Sequence, residues 1–240
     1  MEKTILFDLD GTLTASGIGI TKCVQHALEK MGHTENDLKK LEIFIGPPLI
    51  TQFMEYLNIS KEEAEQAVAY YRERYTTVGI FENELYTNVE KMLKTLKDNN
   101  YTLAVSSSKP EKFVKQILEH FKIEQYFNEV VGATMSEKRT DKADVIEETL
   151  KRLGRINCSN SDTDYTSIEN SISVEKEKTI NTENIIMVGD KKHDILGARQ
   201  FGIPCVAVSY GYGTIEELTN ENPHKIVDTV DELLDYLLNN

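Results

Sequence analysis

Four short apolar runs, "TILFD" (4–8), "TLAVS" (102–106), "IIMVG" (185–189) and "PCVAVS" (204–209), recur along the chain with segments of helical period between them. Runs this short and this apolar are the pattern of strands buried on both faces, as in a parallel sheet. "NEVVG" (128–132) and "HKIVD" (224–228) are further strand candidates. "TNVEKMLKTLKDNN" places Val89, Leu93 and Leu96 at helical spacing, and "KPEKFVKQILEHF" gathers Phe113, Val114, Ile117, Leu118 and Phe121 on one face. "KADVIEETLKRLG" and "DILGARQFG" read as helices stopped by glycine. This alternation predicts an α/β fold, a Rossmann-like parallel sheet with helices on both faces.

Two segments break the alternation. From about Gly17 to Glu84 there is no strand pattern but three helical ones. Ile20, Val24, Ala27, Leu28 and Met31 form one stripe, "PLITQFMEYL" follows Pro47 and Pro48, and "KEEAEQAVAYYRERY" is the third. An all-helical block between the first two strands predicts an inserted cap, residues 16–85, on a core built from 1–15 and 86–240. Its hinges are expected near Thr14–Gly17 and Asn83–Thr87. The second break, 156–184, is dominated by Ser, Asn, Thr and charge. With few apolar anchors to offset the entropy of ordering, it reads as a mobile surface loop.

Charge excludes some partners. The 27 basic residues against 40 acidic ones give −13, which argues against nucleic acid or an anionic membrane surface. An anionic ligand would then need a local cation. The three cysteines, Cys23, Cys158 and Cys205, are widely spaced and show no C-x-x-C pairing, so a reducing compartment is expected. "MEKTILFDLD" has no uninterrupted apolar core of a secretion signal, and no run approaches the ~18–20 apolar residues of a membrane span. The expectation is a cytoplasmic globular protein.

The residues just past each strand carry the chemistry, because ligands of open parallel sheets bind at the carboxyl ends of the strands. Asp8-Leu9-Asp10-Gly11-Thr12 follows the first run, Ser106-Ser107-Ser108-Lys109 the second, and Asp190 the "IIMVG" run, with Asp194 four residues on. Lys142 stands at the start of the "ADVIEETL" helix. Carboxylates crowded at a partly buried rim need a cation, and hard oxygen ligands at this density select Mg²⁺. Amides of the Gly11–Thr12 turn, a serine hydroxyl and Lys142 could then hold a phosphate. Two neighbouring carboxylates can divide the roles of nucleophile and general acid/base. The constellation is that of phosphoryl transfer.

"FDLDGTLT", "LAVSSSKP", Lys142 and "VGDKKHDILGA" resemble, in order, the four motifs of the haloacid dehalogenase superfamily in its phosphatase branch. "FIGPPL", "SSKPEKFVKQILEHF", "GDKKHDILGA" and "YGYG" look most similar to phosphoglycolate-phosphatase-like and 5′-nucleotidase-like members. The resemblance covers essentially the whole chain; segment 156–184 departs from it, since relatives pass to the fourth motif through a short loop. It implies that Asp8 attacks phosphorus and carries an aspartyl-phosphate, while Asp10 protonates the leaving oxygen and then activates water. It implies Mg²⁺ held by Asp8, the Asp10 carbonyl and Asp190, with Asp194 in support. Ser107 and Lys142 would clamp the phosphate of a small phosphorylated metabolite.

Other readings stand beside these. Any of Ser106, Ser107 and Ser108 could present the hydroxyl; Ser107 is favoured, its neighbours being structural or amide donors. Lys138 and Arg139 compete with Lys142, whose place at the helix start decides for it. Asp194 could be a first-turn helix charge. His193 reads as a surface neighbour, Lys191 and Lys192 as a solvated face, and Tyr210–Gly213 ("YGYG") as a turn, or as an aromatic near the rim that could stack on a base. Gly46, Pro47 and Pro48 either start a helix or select substrate from the cap. The competing functions are a phosphomutase of the beta-phosphoglucomutase type, a phospho-signalling receiver, and a catalytically silent binding module.

Overall fold

In the computed structural model, which describes residues 3–135, 139–158 and 178–240, β1 (Thr4–Phe7) lies at the centre of a six-stranded parallel sheet. β2 (Thr102–Pro110) and β3 (Glu129–Ala133) extend the sheet on one side. β6 (Ile185–Gly189), β7 (Cys205–Val208) and β8 (Lys225–Val227) extend it on the other, in the order β3-β2-β1-β6-β7-β8. The order reverses between β1 and β6, which is where a parallel sheet opens a crevice at its carboxyl edge.

Both faces of the sheet are covered, and the strand residues alternate between them. Ile5, Phe7, Leu103, Val105, Val188, Val206 and Val208 pack into a core with α4 (Val89–Asp98), α5 (Glu111–His120) and α9 (Val230–Asn239). Leu6, Ala104, Met187, Cys205 and Ala207 pack oppositely against α6 (Lys142–Arg152), α7 (Lys192–Arg199) and α8 (Ile215–Asn220). The unbroken apolar runs of the sequence are this two-sided burial. The α/β expectation is thereby met.

Between β1 and β2 the chain is helical, with α1 (Gly17–Lys30), α2 (Leu49–Leu57) and α3 (Lys61–Tyr75). Two short 3-10 segments, Leu38–Phe44 and Gly79–Phe81, are too brief to leave a periodic signal in the sequence. α3 opens on a capping box in which Ser60 accepts from the Glu63 amide and the Glu63 carboxylate accepts from the Ser60 amide. The chain enters and leaves this helical block side by side. The Ala15 amide donates to Glu84 O at 2.7 Å, and the Tyr86 amide to Leu13 O at 3.2 Å.

The ends of segment 156–184 depart from the expected loop. β4 (Ile156–Cys158) and β5 (Lys178–Ile180) pair antiparallel, and the Asn181 amide continues the ladder to Arg155 O. A three-residue strand leaves too short a pattern to read. Residues 159–177 of the expected loop lie outside the described residues, as does Lys138. Among the described residues no helix is long and apolar enough to cross a membrane.

Candidate active site

Asp8 leaves β1 with its amide still donating to Val188 O at 2.9 Å, so its position is fixed by the sheet. Asp190 follows β6 directly, and Asp194 sits in the first turn of α7, accepting from the Lys191 amide at 3.0 Å. These three buried side chains each offer a carboxylate oxygen within 4.8 Å of the others. Lys142, at the start of α6, is the counter-charge. Its Nζ lies 2.8 Å from Asp8 Oδ1, 2.7 Å from Asp194 Oδ1 and 3.0 Å from Ser106 O.

The electrostatics follow from this crowding. Burial, with the charges of Asp194 and Asp8 behind it, pushes the Asp190 carboxyl well above its ordinary range. Burial lifts Asp194 to about 6, against the opposing pull of Lys142. Burial alone would lower Lys142, but the charges of Asp194 and Asp8 outweigh it and raise the ammonium. Asp190 Oδ1 is buried and has no hydrogen-bond partner among the described residues. Three hard oxygen donors, one of them an orphan, fit a divalent cation of the oxygen-seeking kind.

Gly11 takes a different part from the one expected. Its amide donates to Thr14 O at 2.8 Å and the Thr12 amide to Leu9 O at 3.3 Å, so neither N–H is free to cradle a phosphate. The turn consumes them. Gly11 has φ +84°, and a Cβ there would lie 2.0 Å from Asp190 Oδ2. The glycine lets the turn press against the carboxylate. The amides that the turn leaves unused are those of Leu9 and Asp10, for which no bond is found among the described residues. Thr12 is fully buried, its hydroxyl likewise without a partner among them.

The three serines separate by direction. Ser106 is buried, and its hydroxyl accepts from Thr149 Oγ1 at 3.1 Å on the α6 side. Ser107 and Ser108 line the cleft that contains Asp8 and Asp10. The register between β2 and β3 slips between Ser107 and Pro110, and this irregularity turns 107–109 toward the cleft. Ser107 Oγ accepts from the Lys109 amide at 3.3 Å.

Lys109 carries more than its sequence reading gave it. Its buried Nζ sits 2.5 Å from Asp10 Oδ2 and 5.1 Å from the ring centre of Tyr75 on α3. Burial alone would lower the Lys109 ammonium, but the charge of Asp10 leads the effects that raise it. The signal was a lysine directly after the serines, which only the β2 irregularity explains. Gly46, Pro47 and Pro48 line the same cleft, as do Phe44, Tyr71 and Phe113. Lys191 corrects an expectation as well. It is half-buried, its Nζ donates to Tyr212 O at 3.0 Å, and it lines the cleft instead of a solvated face. Lys192 is exposed as expected, and His193 is half-buried, lining the cleft. Arg139 is engaged elsewhere, with Gly132 O and Glu111.

Acidic residues and a lysine thus converge at the switch point of a parallel sheet. The chain belongs to the haloacid dehalogenase-like hydrolase family, whose model matches residues 5–208. It is 36% identical over 219 residues to a 5′-nucleotidase of Pseudomonas aeruginosa, covering 91% of this chain and 88% of that one. A tyrosine-protein kinase PtkA of Mycobacterium tuberculosis is 31% identical over 98% of this chain and 72% of its own. A phosphoglycolate phosphatase 1 of Pseudomonas aeruginosa is 28% identical over 98% and 79%. The crystal structure of a predicted phosphatase from Clostridium acetobutylicum superposes with a TM-score of 0.87 at 40% identity, with both chains wholly covered. The resemblance read from the motifs holds.

Proposed function

We propose that this protein is a phosphatase that hydrolyses a small-metabolite phosphate monoester with Mg²⁺, through an aspartyl-phosphate on Asp8. The observation that carries the reading is the arrangement around Lys142. One buried ammonium bridges Asp8 and Asp194, and Asp190 completes a set of carboxylates that fits a cation. Asp8, Asp190 and Asp194, with the Asp10 carbonyl, would hold the metal. When bound, it neutralises the rim and draws the phosphate oxygens toward it.

This chain's residues supply the rest. An Asp8 carboxylate oxygen forms a bond to phosphorus as the ester P–O bond breaks, and Asp10 gives the leaving oxygen its proton. Asp10, now a carboxylate, takes a proton from water as that water attacks phosphorus. The Asp8–phosphorus bond then breaks, and phosphate and the free Asp8 carboxylate are released. Ser107 and Lys142 hold phosphate oxygens, with Ser108 beside them. Gly11 and Thr12 serve by shaping the turn under Asp190. In this reading 16–85 acts as a cap over the 1–15 and 86–240 core, and Gly46, Pro47 and Pro48 face the substrate from it. The aromatic wall of Phe44, Tyr71, Tyr75 and Phe113 supports a leaving group with a flat apolar face, which a nucleoside has and glycolate lacks.

The test is phosphate release from nucleoside monophosphates, phosphoglycolate and sugar phosphates, with Mg²⁺ and with EDTA, for wild type and Asp8→Asn. Release that needs both Mg²⁺ and Asp8 is expected, strongest on a nucleoside monophosphate. Isomerisation of a sugar phosphate without release would replace hydrolysis by a phosphomutase reaction, and release by Asp8→Asn would sink the mechanism.

A further inference from the structure

The loop after β7, whose Tyr-Gly-Tyr-Gly was expected to turn or to offer an aromatic to a base, runs between the carboxylate rim and the entry to the helical block. At one end the Tyr212 amide donates to Asp190 Oδ2 at 2.7 Å. The flanking backbone is pressed against the same residue: a Cβ on Gly211 would lie 2.3 Å from Asp190 Cβ, and one on Gly213 1.9 Å from Asp190 O. At the other end the Tyr212 phenol oxygen accepts from the Gly17 amide at 2.6 Å. Gly17 is the first residue of α1, and Ser16 before it makes no side-chain cap. The first turn of α1 is therefore capped by a phenol from the far side of the sequence. A Cβ on Gly17 would meet that ring at 2.8 Å, so the approach admits little else.

Neighbouring contacts brace the same loop. Lys191 Nζ donates to Tyr212 O at 3.0 Å. Tyr210 donates its hydroxyl to Thr12 O at 3.1 Å, and its ring meets Tyr86, on the return crossing, edge to face at 4.8 Å. A loop that only turned would need its backbone bonds alone, and any side chain would serve at 212. Here one residue holds a rim carboxylate by its backbone and the start of α1 by its side chain.

We propose that Tyr212 is a positioning residue that ties Asp190 to Gly17, so that the seating of the helical block sets the orientation of the Asp190 carboxylate and the grip of the rim on a divalent cation. The link to the cation rests on the reading under Proposed function, whereas the tie itself rests on contacts alone. Tyr212→Phe keeps the ring and the amide and removes only the hydroxyl. The hydroxyl also meets the Tyr86 side chain, so the thermal midpoint is expected to move by no more than about 4–8 °C, the size of two hydrogen bonds in a chain of this length. Amide exchange read by mass spectrometry should nevertheless accelerate about five- to tenfold in peptides covering 13–20 and 188–195. Calorimetric titration with Mg²⁺ alone should show affinity lowered about tenfold, as for other loss of support behind a ligand. Gly17→Ala, entering from the far end, should produce the same acceleration at 188–195.

Acceleration confined to 209–214 in Tyr212→Phe, or unaltered exchange at 188–195 in Gly17→Ala, would overturn the tie. Faster exchange at 188–195 with wild-type Mg²⁺ affinity would overturn its link to the cation. A wild-type protein that bound no Mg²⁺ would instead remove the proposed metal chemistry, and the exchange measurements would still decide the tie.

Discussion

Lys142 and Asp194 meet at 2.7 Å with both side chains buried, and the same ammonium reaches Asp8 at 2.8 Å. Two carboxylates thus depend on one cation of the chain itself. Lys142→Met keeps the stem and removes the charge. It is expected to lower kcat/KM for phosphate release by about 10²–10³, the scale of losing one preorganised group at a reacting phosphate. It should also lower the stability of the metal-free protein by about 3–5 kcal/mol, because both carboxylates stay buried without their partner. Steady-state kinetics and denaturant melts check the two together.

The raised carboxyls set a pH dependence with a definite sign. Asp194, at about 6, and Asp190, also raised well above its ordinary range, bind protons more tightly in the folded chain than the ordinary carboxyl value near 3.8. Their contribution to the metal-free protein is full below that value and is lost as pH rises through their folded range. A divalent cation competes with those protons and gains as they leave. The rise in thermal midpoint on adding Mg²⁺ should therefore be larger at pH 7 than at pH 5, in paired melts with and without EDTA. An equal rise at both values would mean that these carboxylates do not hold the ion.

The sheet was legible because two-sided burial writes unbroken apolar runs, and the rim was legible because strand ends collect ligands. Asp8, Asp10, Ser107, Lys142 and Asp194 line one cleft, and Asp190 lies buried against Asp8 and Asp194 beneath it. Direction was not legible. Gly11 and Thr12 turn their amides inward, and Ser106 points to Thr149, because both outcomes depend on backbone angles that residue spacing does not encode. Lys109 and Tyr212 were missed as partners because their contacts, with Asp10 and with Gly17, are set by the course of the chain at the end of β2 and after β7, which residue spacing does not show.

Gly11 combines a positive φ with close contact to the rim. At φ +84° a side chain is strained, and its Cβ would overlap the Asp190 carboxylate. Gly11→Ala should cost at least about 1 kcal/mol in backbone strain and more in displacement of Asp190. Calorimetry should show weakened Mg²⁺ binding in protein that still folds by circular dichroism. Wild-type affinity would place Asp190 outside the cation site.

The adjacent serines offer an internal control. Ser106→Ala loses the bond from Thr149 but leaves the Ser106 carbonyl on Lys142, so a stability loss of about 1 kcal/mol with near-normal turnover is expected. Ser107→Ala removes a hydroxyl that faces the cleft, and should lower kcat/KM tenfold or more with little change in the melt. The opposite ranking, read from the same two assays, would give the phosphate contact to Ser106.

Asp10 and Lys109 form the other buried pair, and here the partner left behind decides the outcome. Asp10 Oδ2 holds Lys109 at 2.5 Å, while its Oδ1 is buried with no hydrogen-bond partner among the described residues. Lys109→Met therefore strands a carboxylate with nothing to compensate it, and should cost about 3–5 kcal/mol in denaturant melts. Asp10→Asn alone leaves an ammonium that retains the face of Tyr75, and should cost less. The double variant buries neither charge. Its loss should fall short of the sum of the two single losses by about 1–3 kcal/mol, the coupling expected of residues in direct contact. Additive losses would show that the pair contributes nothing as a pair. Turnover separates the two roles: with Asp10 as the proposed proton donor, Asp10→Asn is expected to abolish it, and the double variant is expected to stay inactive however much stability it regains.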